Sequence, residues 1–501
     1  MSVRGLALPL AGARRMAADV SAVSVSQWVA NALLTVRELV VAAALSPSLY
    51  GVLNLIKVVL NYSQYSHLGV LFAMNKEVPF HRGKGDEANM DRTRHAAFSI
   101  AVVTSGAYML GVCAVFLTRR EHYSAIWLYG ILAVTGAVFL QQMNDLSKFL
   151  LRADKKFTVM SGQSLVYAAS ELAVVVLLVP RWGIYAVYLA MIMRYLCALV
   201  YVQLISPCAL RFRRDWATSW RLFRIGLPLM LSGLVLVLLR TLDRVMIGQF
   251  LGTTHVGYYS LGSALADVVL ALPMAIASVS FPRLLEKFAL QERPEDLRAH
   301  LVVSTLCIAC LMPLVIAPAI FLLPTTVKLL LPRYAPGLTA ARNLLLGTFF
   351  LSLMTVAANF LITVNRTARL IAHQALGLAA ACGLCYLALA RGAGINTVSA
   401  VVAIGFAVYG IGILIVALVP LLGWRRVLLF CAACAVPALY LFGGVAWLDQ
   451  EDAGGSIRGA LVSCLIFCLA PLILAAWTPS RKLATRVIGF LLTTSGEGGE
   501  G

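Results

Sequence analysis

Charged residues are scarce in this chain: Asp, Glu, Lys and Arg make up 13% of its 501 residues, against 60% apolar residues. In a soluble domain about a quarter of the residues are charged. Long polar segments are also missing, because the two longest, at residues 75–94 and 283–298, have only the length of loops. The composition therefore excludes a soluble protein, and it leaves no room for a globular catalytic or nucleotide-binding domain.

Catalytic and metal-binding motifs are missing as well. The chain has no GxxxxGK[ST], GxSxG or HExxH pattern, and GKGD at 83–86 lacks the preceding strand and the Ser or Thr of a phosphate-binding loop. The CxxC pairs at 307–310, 382–385 and 431–434 lie in apolar runs without His or acidic neighbours, which favours small packing residues. We therefore expect a protein that is not an enzyme, with no cofactor and no metal.

Apolar runs of about twenty residues recur along the chain, and each is long enough to cross a hydrocarbon core of about 30 Å. They predict an all-α polytopic membrane protein with about fourteen transmembrane helices. The predicted spans are residues 20–45, 48–74, 95–117, 123–147, 157–179, 183–206, 222–250, 255–281, 299–323, 339–364, 368–390, 394–420, 427–447 and 457–477.

The net charge of +19 would suggest nucleic-acid binding in a soluble chain, but here the basic residues cluster in alternate connections. One cluster lies between residues 76 and 94 and another between 211 and 224. Because cytoplasmic loops carry the excess of Lys and Arg, this pattern predicts that both termini are cytoplasmic. The first apolar run lacks a cleavage pattern and is predicted to be retained as a helix. We expect no nucleic-acid partner.

The two halves of the chain are related by a shift of about 206 residues. RELVVAAALSPSLYG (37–51) aligns with DRVMIGQFLGTTHVG (243–257), which places an acid and a base at the same depth in the first helix of each half. This arrangement is typical of a transporter whose site lies between two repeated lobes. We expect six-helix lobes at 1–212 and 213–422 related by a pseudo-two-fold axis, two additional helices at 423–480, and a cytoplasmic tail at 481–501 whose end is disordered.

Six charged residues lie in the first two helices of the first lobe and the first helix of the second, roughly 10–17 Å below the outer surface. A charged side chain at mid-bilayer costs at least about 2.5–3.5 kcal/mol, so these groups are not expected to face lipid. Four are positive and two are negative, and an unmatched Arg suits the oxygens of a phosphate group. The candidate ligands of an anionic substrate are Arg37, Lys57, Arg240 and Arg244, with Glu38 and Asp243 as the acids.

The same charges could instead be structural ion pairs. Arg240 and Asp243 are spaced i, i+3 and can pair within a helix, and Arg194 can pair with Glu171 of the preceding span. Asp267 has no evident partner in the sequence, so it is either a hydrogen-bonded structural acid or a site of proton or cation uptake. Candidates for charge pairing or ion coupling are therefore Glu38, Asp243 and Asp267.

Amide and aromatic residues gather on the same helices. Asn54, Lys57, Asn61 and Gln64 follow one another at steps of three and four, so they share one helix face and predict a wet cavity. Amides and flat rings suit sugars, and the candidate glycan ligands are Asn31, Asn54, Asn61, Gln64 and Tyr65. Tyr50, Tyr258 and Tyr259 lie near the outer ends of their spans, which is typical of an interfacial aromatic belt.

Several segments resemble the polysaccharide branch of the multidrug/oligosaccharidyl-lipid/polysaccharide exporter superfamily. They are LSPSLYGVLNL (45–55), EVPFHRGKGDEANMDRTR (77–94), FRIGLPLMLSGLVLVLLRTLDRVMIGQFLGTTHVGYYSLG (223–262) and FPRLLEK (281–287). The resemblance implies a bacterial inner-membrane flippase that moves an undecaprenyl-pyrophosphate-linked oligosaccharide to the periplasmic leaflet by alternating access. It also implies that Arg37, Lys57, Arg240 and Arg244 line a central cavity, and that the protein functions as a monomer alongside a polysaccharide polymerase and a chain-length regulator.

Three other functions are compatible with the sequence. A cation-coupled exporter of drugs or small molecules would use the acids for coupling, and a lipid II flippase would use the same cationic groups. A membrane-embedded polymerase or ligase is less well matched, since the outside loops are too short to hold an acceptor. Membrane lipids are expected partners in every case.

Overall fold

A computed structural model describes residues 10–83, 85–118, 120–154, 156–207, 210–291, 294–450 and 457–476. These residues form sixteen α-helices and three short 3₁₀ helices, and none of them lies in a β-strand. The expected all-α class is confirmed. The chain divides into two compact units, Met1–Val237 and Leu238–Gly501, whereas the lobe boundaries inferred from the sequence repeat remain predictions.

The first unit contains the N-terminal eight helices, the last of which ends just beyond it. They are α1 (Leu10–Ala44), α2 (Pro47–Ser63), α3 (Val70–Gly83), α4 (Glu87–Thr118), α5 (Ala125–Ala153), α6 (Phe157–Trp182), α7 (Ile184–Ile205) and α8 (Trp216–Leu239), with a 3₁₀ helix at Arg120–His122. Helix α6 packs along both α1 and α7, and α7 also packs on α5.

The second unit contains the remaining helices. They are α9 (Leu242–Phe250), α10 (Thr253–Gln291), α11 (Arg298–Leu330), α12 (Leu338–Thr363), α13 (Thr367–Ala390), α14 (Ile395–Leu422), α15 (Trp424–Gln450) and α16 (Ile457–Ala476), with 3₁₀ helices at Pro294–Leu297 and Pro332–Gly337. Helix α12 is central, because it packs against α10, α11 and α14.

Eleven stretches of the described chain are long and apolar enough to span a membrane. They correspond to the third through thirteenth predicted spans. Large apolar side chains on these helices are exposed rather than buried, among them Leu110, Leu204 and Leu439, each at least 70% exposed. Such surfaces are stable against lipid but not against water. The predicted total of fourteen spans is therefore approximate.

Two predicted spans are interrupted, and at these positions the prediction of one continuous helix was wrong. The span at 48–74 divides into α2 and α3, joined by a turn in which Leu68 and Gly69 have positive φ angles of 51° and 83°. The span at 222–250 divides at Arg240 and Thr241, between α8 and α9. The polar residues at both interruptions keep helical spacings of three and four, which is why the sequence pattern did not reveal the interruptions.

The helix boundaries agree with the 206-residue shift that relates the two halves of the sequence. Helix α1 ends at Ala44 and α2 begins at Pro47, while α9 ends at Phe250 and α10 begins at Thr253. Both pairs of positions are 206 residues apart. In the first unit, Ser46 forms the N-cap of α2, accepting a hydrogen bond from the Leu49 backbone N–H, and Pro47 occupies the first helical position. The first two helices of each half thus meet at the same kind of junction.

Candidate functional site

Five ionised side chains in the first unit form a chain of alternating charge. Lys57 Nζ lies 3.0 Å from both carboxylate oxygens of Glu38. Glu38 pairs with Arg37, and Arg37 Nη2 lies 2.9 Å from Glu171 Oε1. Glu171 also accepts from Arg194 Nη1, at 3.1 and 3.2 Å. The order along the chain is therefore Lys57, Glu38, Arg37, Glu171, Arg194.

Four helices position these groups. Arg37 and Glu38 lie on α1, Lys57 on α2, Glu171 on α6 and Arg194 on α7. Burial is deepest where Arg37 meets Glu171, whose side chains are 8% and 1% exposed. The Lys57 and Glu38 side chains are more accessible, at 17% and 21% exposure. The chain of charges therefore runs from a partly accessible end at Lys57 into the packed interior of the unit.

Tyrosines flank the chain at its two ends. The Tyr50 hydroxyl, on a fully buried side chain, donates to Glu38 Oε1 at 2.7 Å. At the other end, the Arg194 guanidinium lies 4.6 Å from the ring centroid of Tyr195 and 5.2 Å from that of Tyr167. Arg194 Nη2 also donates to the Tyr195 hydroxyl at 3.1 Å. These contacts hold Arg194 by hydrogen bonding and by the negative faces of two rings.

The cluster carries a surplus of one positive charge. Three cations face two carboxylates among these five residues. The expected pairing of Arg194 with Glu171 is present, but Glu171 is shared with Arg37. The sequence did not indicate that sharing, since it depends on how α1 packs on α6.

The amide residues predicted to bind a glycan lie in different environments. Asn54 is buried and donates to the Tyr50 carbonyl of its own helix at 2.8 Å. Asn31 is half-buried and accepts from Gln27 at 3.2 Å. Asn61 is exposed, while Gln64 and Tyr65 are half-buried in the turn after α2. The predicted polar face of one continuous helix thus ends at Ser63, and the contacts with a glycan stay a prediction.

The interruption between α8 and α9 changes the pairing expected in the second unit. Arg240 does not pair with Asp243, because Thr241 begins a new helix and removes the i, i+3 relation. Arg240 instead forms an ion pair with Asp267 of α10. Asp267, which lacked an evident partner in the sequence, therefore has one, although its side chain stays 52% exposed.

Asp243 and Arg244 are both buried at the start of α9. Asp243 accepts from the Tyr259 hydroxyl and, at 2.8 Å, from the Arg244 backbone N–H. Arg244 is 7% exposed, yet among the described residues its guanidinium forms no ion pair and its Nε has no hydrogen-bond partner. A buried guanidinium with an unsatisfied Nε–H is a favourable ligand for an anion, because an unsatisfied buried donor is costly.

A tyrosine hydroxyl holds a carboxylate in each unit. Tyr50 of α2 binds Glu38 of α1, and Tyr259 of α10 binds Asp243 of α9. Both tyrosine side chains are fully buried, so assigning Tyr50 and Tyr259 to an interfacial belt was wrong. The 206-residue shift does not align these two tyrosines, since it pairs Tyr50 with Val256, so the sequence repeat gave no signal for them. Each Tyr nevertheless lies within the first two turns of the helix that follows its acid-bearing helix.

The described residues include no group of three His, Cys, Asp or Glu side chains placed to hold a metal ion. The ten described cysteines are free thiols. The polar chemistry of the two units is therefore that of guanidinium, ammonium, carboxylate and phenol groups, which is suited to binding charged or hydroxylated molecules.

The helices and their buried ion clusters define a polytopic α-helical membrane protein with the fold of known transporters. An inward-facing MATE multidrug transporter of the MOP superfamily superposes with a TM-score of 0.66 at 14% identity, covering 80% of this chain and 96% of that one. The lipid II flippase MurJ, in an inward closed conformation, gives 0.69 at 14% identity, covering 92% and 99%.

The chain belongs to the polysaccharide biosynthesis protein family, whose sequence model matches residues 40–333. This confirms the resemblance to the polysaccharide branch. A Shigella flexneri protein provisionally assigned as an O-antigen transporter is 23% identical over 263 residues, which cover 48% of this chain and 60% of the relative. The match thus spans less than two thirds of that relative's length.

Proposed function

We propose that this protein is a transporter rather than an enzyme, and that it flips an undecaprenyl-pyrophosphate-linked oligosaccharide from the cytoplasmic to the periplasmic leaflet of a bacterial inner membrane. The product would enter assembly of O-antigen, exopolysaccharide or capsule. Family membership and the O-antigen transporter relative support the polysaccharide pathway. The fold shared with MATE and MurJ supports alternating access.

The observation that carries the proposal is buried positive charge with donors that the protein does not fully satisfy. Arg244 forms no direct ion pair among the described residues and its Nε lacks a hydrogen-bond partner, and the five-residue cluster of the first unit has one cation more than carboxylates. Leaving a buried guanidinium donor unsatisfied is unfavourable, so an anionic substrate that accepts a hydrogen bond from it gains affinity. A pyrophosphate has the charge and the oxygen geometry that Arg binds best.

The remaining predicted groups have supporting roles in this proposal. Arg37, Lys57 and Arg240 are paired with carboxylates, so they would contribute to the positive potential or exchange a carboxylate partner for a phosphate. Glu38, Asp243 and Asp267 are the acids through which a proton or cation could couple to transport. Asn31, Asn61, Gln64 and Tyr65 keep accessible surface and would contact the glycan, while Asn54 would support α2.

The same proposal specifies the binding partners and the membrane orientation of the protein. The partners are a lipid-linked oligosaccharide, which is the substrate, and the surrounding membrane lipids. A polysaccharide polymerase and a chain-length regulator would receive the product. The basic connections support cytoplasmic termini, and the protein would act as a monomer.

The proposal is tested by complementing a strain that lacks the gene with the Arg244→Ala variant. Surface polysaccharide should be lost while lipid-linked oligosaccharide accumulates, at unchanged protein level in the membrane. Arg181→Ala, which removes an exposed arginine from the end of α6, serves as the matched control and should restore polymer fully. Normal polymer with Arg244→Ala would contradict the proposal.

Because MATE and MurJ share this fold, small molecules and lipid II are the two alternative substrates to test. If the protein exported small molecules, loss of the gene would alter sensitivity to drugs and leave surface polysaccharide intact. If it flipped lipid II, its depletion would stop cell-wall synthesis. The deletion strain therefore separates the three functions before any variant is made.

A further inference from the structure

The segment before α8 is held against α4 by its backbone. The Arg211 N–H donates to His95 Nδ1 at 3.1 Å, and the Arg213 N–H donates to Ser99 Oγ at 2.8 Å. Both acceptors lie on α4, one helical turn apart. Two alternate N–H groups are thereby fixed toward α4, and side-chain substitutions at 211 and 213 leave these backbone donors in place.

The side chains of this segment are directed into the surroundings rather than into the protein. Arg211, Arg213 and Arg214 are exposed, as is Arg224 two turns into α8. Among the described residues, none of these four guanidiniums forms an ion pair. Arg221 differs, because its Nη2 lies 3.5 Å from Glu77.

Aromatic rings occupy the same surface. Phe212 is 61% exposed, Trp216 79% and Trp220 54%, and Trp220 stacks on Phe223 at a centroid distance of 5.3 Å. Trp216 and Trp220 are spaced i, i+4 in the first turns of α8, so they share one helix face. Exposed Trp beside Arg at the start of an apolar helix is characteristic of the membrane interface.

The single acid of the segment does not neutralise this surface. Asp215 caps α8, since its carboxylate accepts from the Thr218 backbone N–H at 3.1 Å and from the Thr218 hydroxyl at 3.0 Å. These hydrogen bonds lower the pKa of the Asp215 carboxyl, and the nearby Arg92 and Arg213 act in the same direction. Asp215 therefore stays ionised and its carboxylate oxygens are used by the cap, while the four exposed arginines of this surface form no ion pair with it.

We propose that residues 211–224 form a docking surface for anionic phospholipid headgroups, with the arginines binding phosphate and the exposed aromatic rings inserted among the acyl chains. The surface begins just before α8 and includes its first turns, where the candidate membrane span at Trp216–Phe250 opens, so the surface lies at headgroup depth. Its net positive charge complements an anionic leaflet. The bound lipid would fasten the connection between α7 and α8 to the bilayer.

The test is native mass spectrometry of the full chain in detergent, titrated with dioleoylphosphatidylglycerol or with the neutral dioleoylphosphatidylcholine. The wild-type protein should retain phosphatidylglycerol preferentially. The Arg211→Gln/Arg213→Gln/Arg214→Gln variant should bind it about 100-fold more weakly. The Arg181→Gln/Arg369→Gln/Arg391→Gln variant removes three exposed arginines elsewhere and should keep most of the affinity.

A second pair of variants examines the aromatic part of the surface. Trp216→Ala/Trp220→Ala should also weaken phosphatidylglycerol binding, whereas Trp182→Ala/Trp424→Ala, at similarly exposed positions, should not. Unchanged phosphatidylglycerol affinity in the triple arginine variant overturns the proposal. Equal retention of the two lipids by the wild type also overturns it, and would point to an acidic protein partner instead.

Discussion

At the scale of single residues, the buried carboxylate Glu171 links two guanidiniums that the sequence analysis assigned to separate groups. Apolar surroundings make Arg37, Glu38 and Lys57 conspicuous in the sequence, and their placement within the membrane stays a prediction. The sequence did not connect them to Glu171 and Arg194, since that contact depends on how α1 packs against α6. Local spacing predicts which charges are buried, whereas helix packing decides which of them meet.

Replacing Glu171 by Gln should strongly destabilise the protein. The change removes a shared counter-charge and leaves Arg37 and Arg194 buried beside a neutral amide, which costs about 3–5 kcal/mol. Asp91→Asn is the matched control, because Asp91 is 60% exposed and lies 3.8 Å from Arg94, and exposed pairs contribute about 0–1 kcal/mol. Thermal melting of the purified variants in detergent measures both effects, and equal melting temperatures would contradict the assigned role of Glu171.

Removing the hydroxyl of Tyr50 or Tyr259 should also lower stability. Each hydroxyl donates to a carboxylate, and hydrogen bonds to charged groups contribute about 1.5–3 kcal/mol. Tyr50→Phe and Tyr259→Phe keep the buried ring and remove only that bond. Tyr129→Phe, at an exposed ring on α5, is the control and should melt like the wild type. If all three variants melt alike, these tyrosines have no positioning role for Glu38 and Asp243.

At the scale of helices, the two interruptions determine where the candidate residues lie. The turn between α2 and α3 ends the predicted polar face, and the interruption at Arg240 redirects that side chain from Asp243 to Asp267. Apolar runs of helix length predicted the membrane-spanning stretches but not the two interruptions, because the polar residues there keep helical spacing. At the turn between α2 and α3, the backbone of α8 comes so close that only glycine fits. A Cβ on Gly226 would lie 2.0 Å from the Gly69 carbonyl oxygen.

The Gly226→Ala variant tests this crossing. Because the clash is with backbone atoms, α8 must shift away from the turn, and the expected destabilisation is about 1–3 kcal/mol or more. Gly111→Ala, on α4 where an added Cβ meets no atom within 4 Å, should be neutral or stabilising by up to about 1 kcal/mol, since Ala favours helix. Thermal melting should separate the two variants, and a Gly226→Ala protein as stable as Gly111→Ala would show that the two backbones do not cross so closely.

At the scale of the whole molecule, composition predicted the membrane class and the recurring apolar runs predicted the all-α fold, and the family match and the two transporter folds agree with those predictions. The orientation of the termini follows from the basic connections and stays a prediction. The identity of the transported molecule was not readable from the sequence in the same way, because sugar contacts consist of dispersed amides and rings without a defined spacing. The physical account of transport therefore depends on charge, and above all on Arg244.

The most direct measurement is binding of undecaprenyl pyrophosphate, without a glycan, to the purified protein by native mass spectrometry. The wild-type chain and the Arg181→Gln control should bind it equally. Arg244→Gln should bind it about tenfold or more weakly, and Arg244→Lys should recover part of the loss, because the charge returns without the planar pair of donors. Equal binding by the wild type and Arg244→Gln would contradict the account.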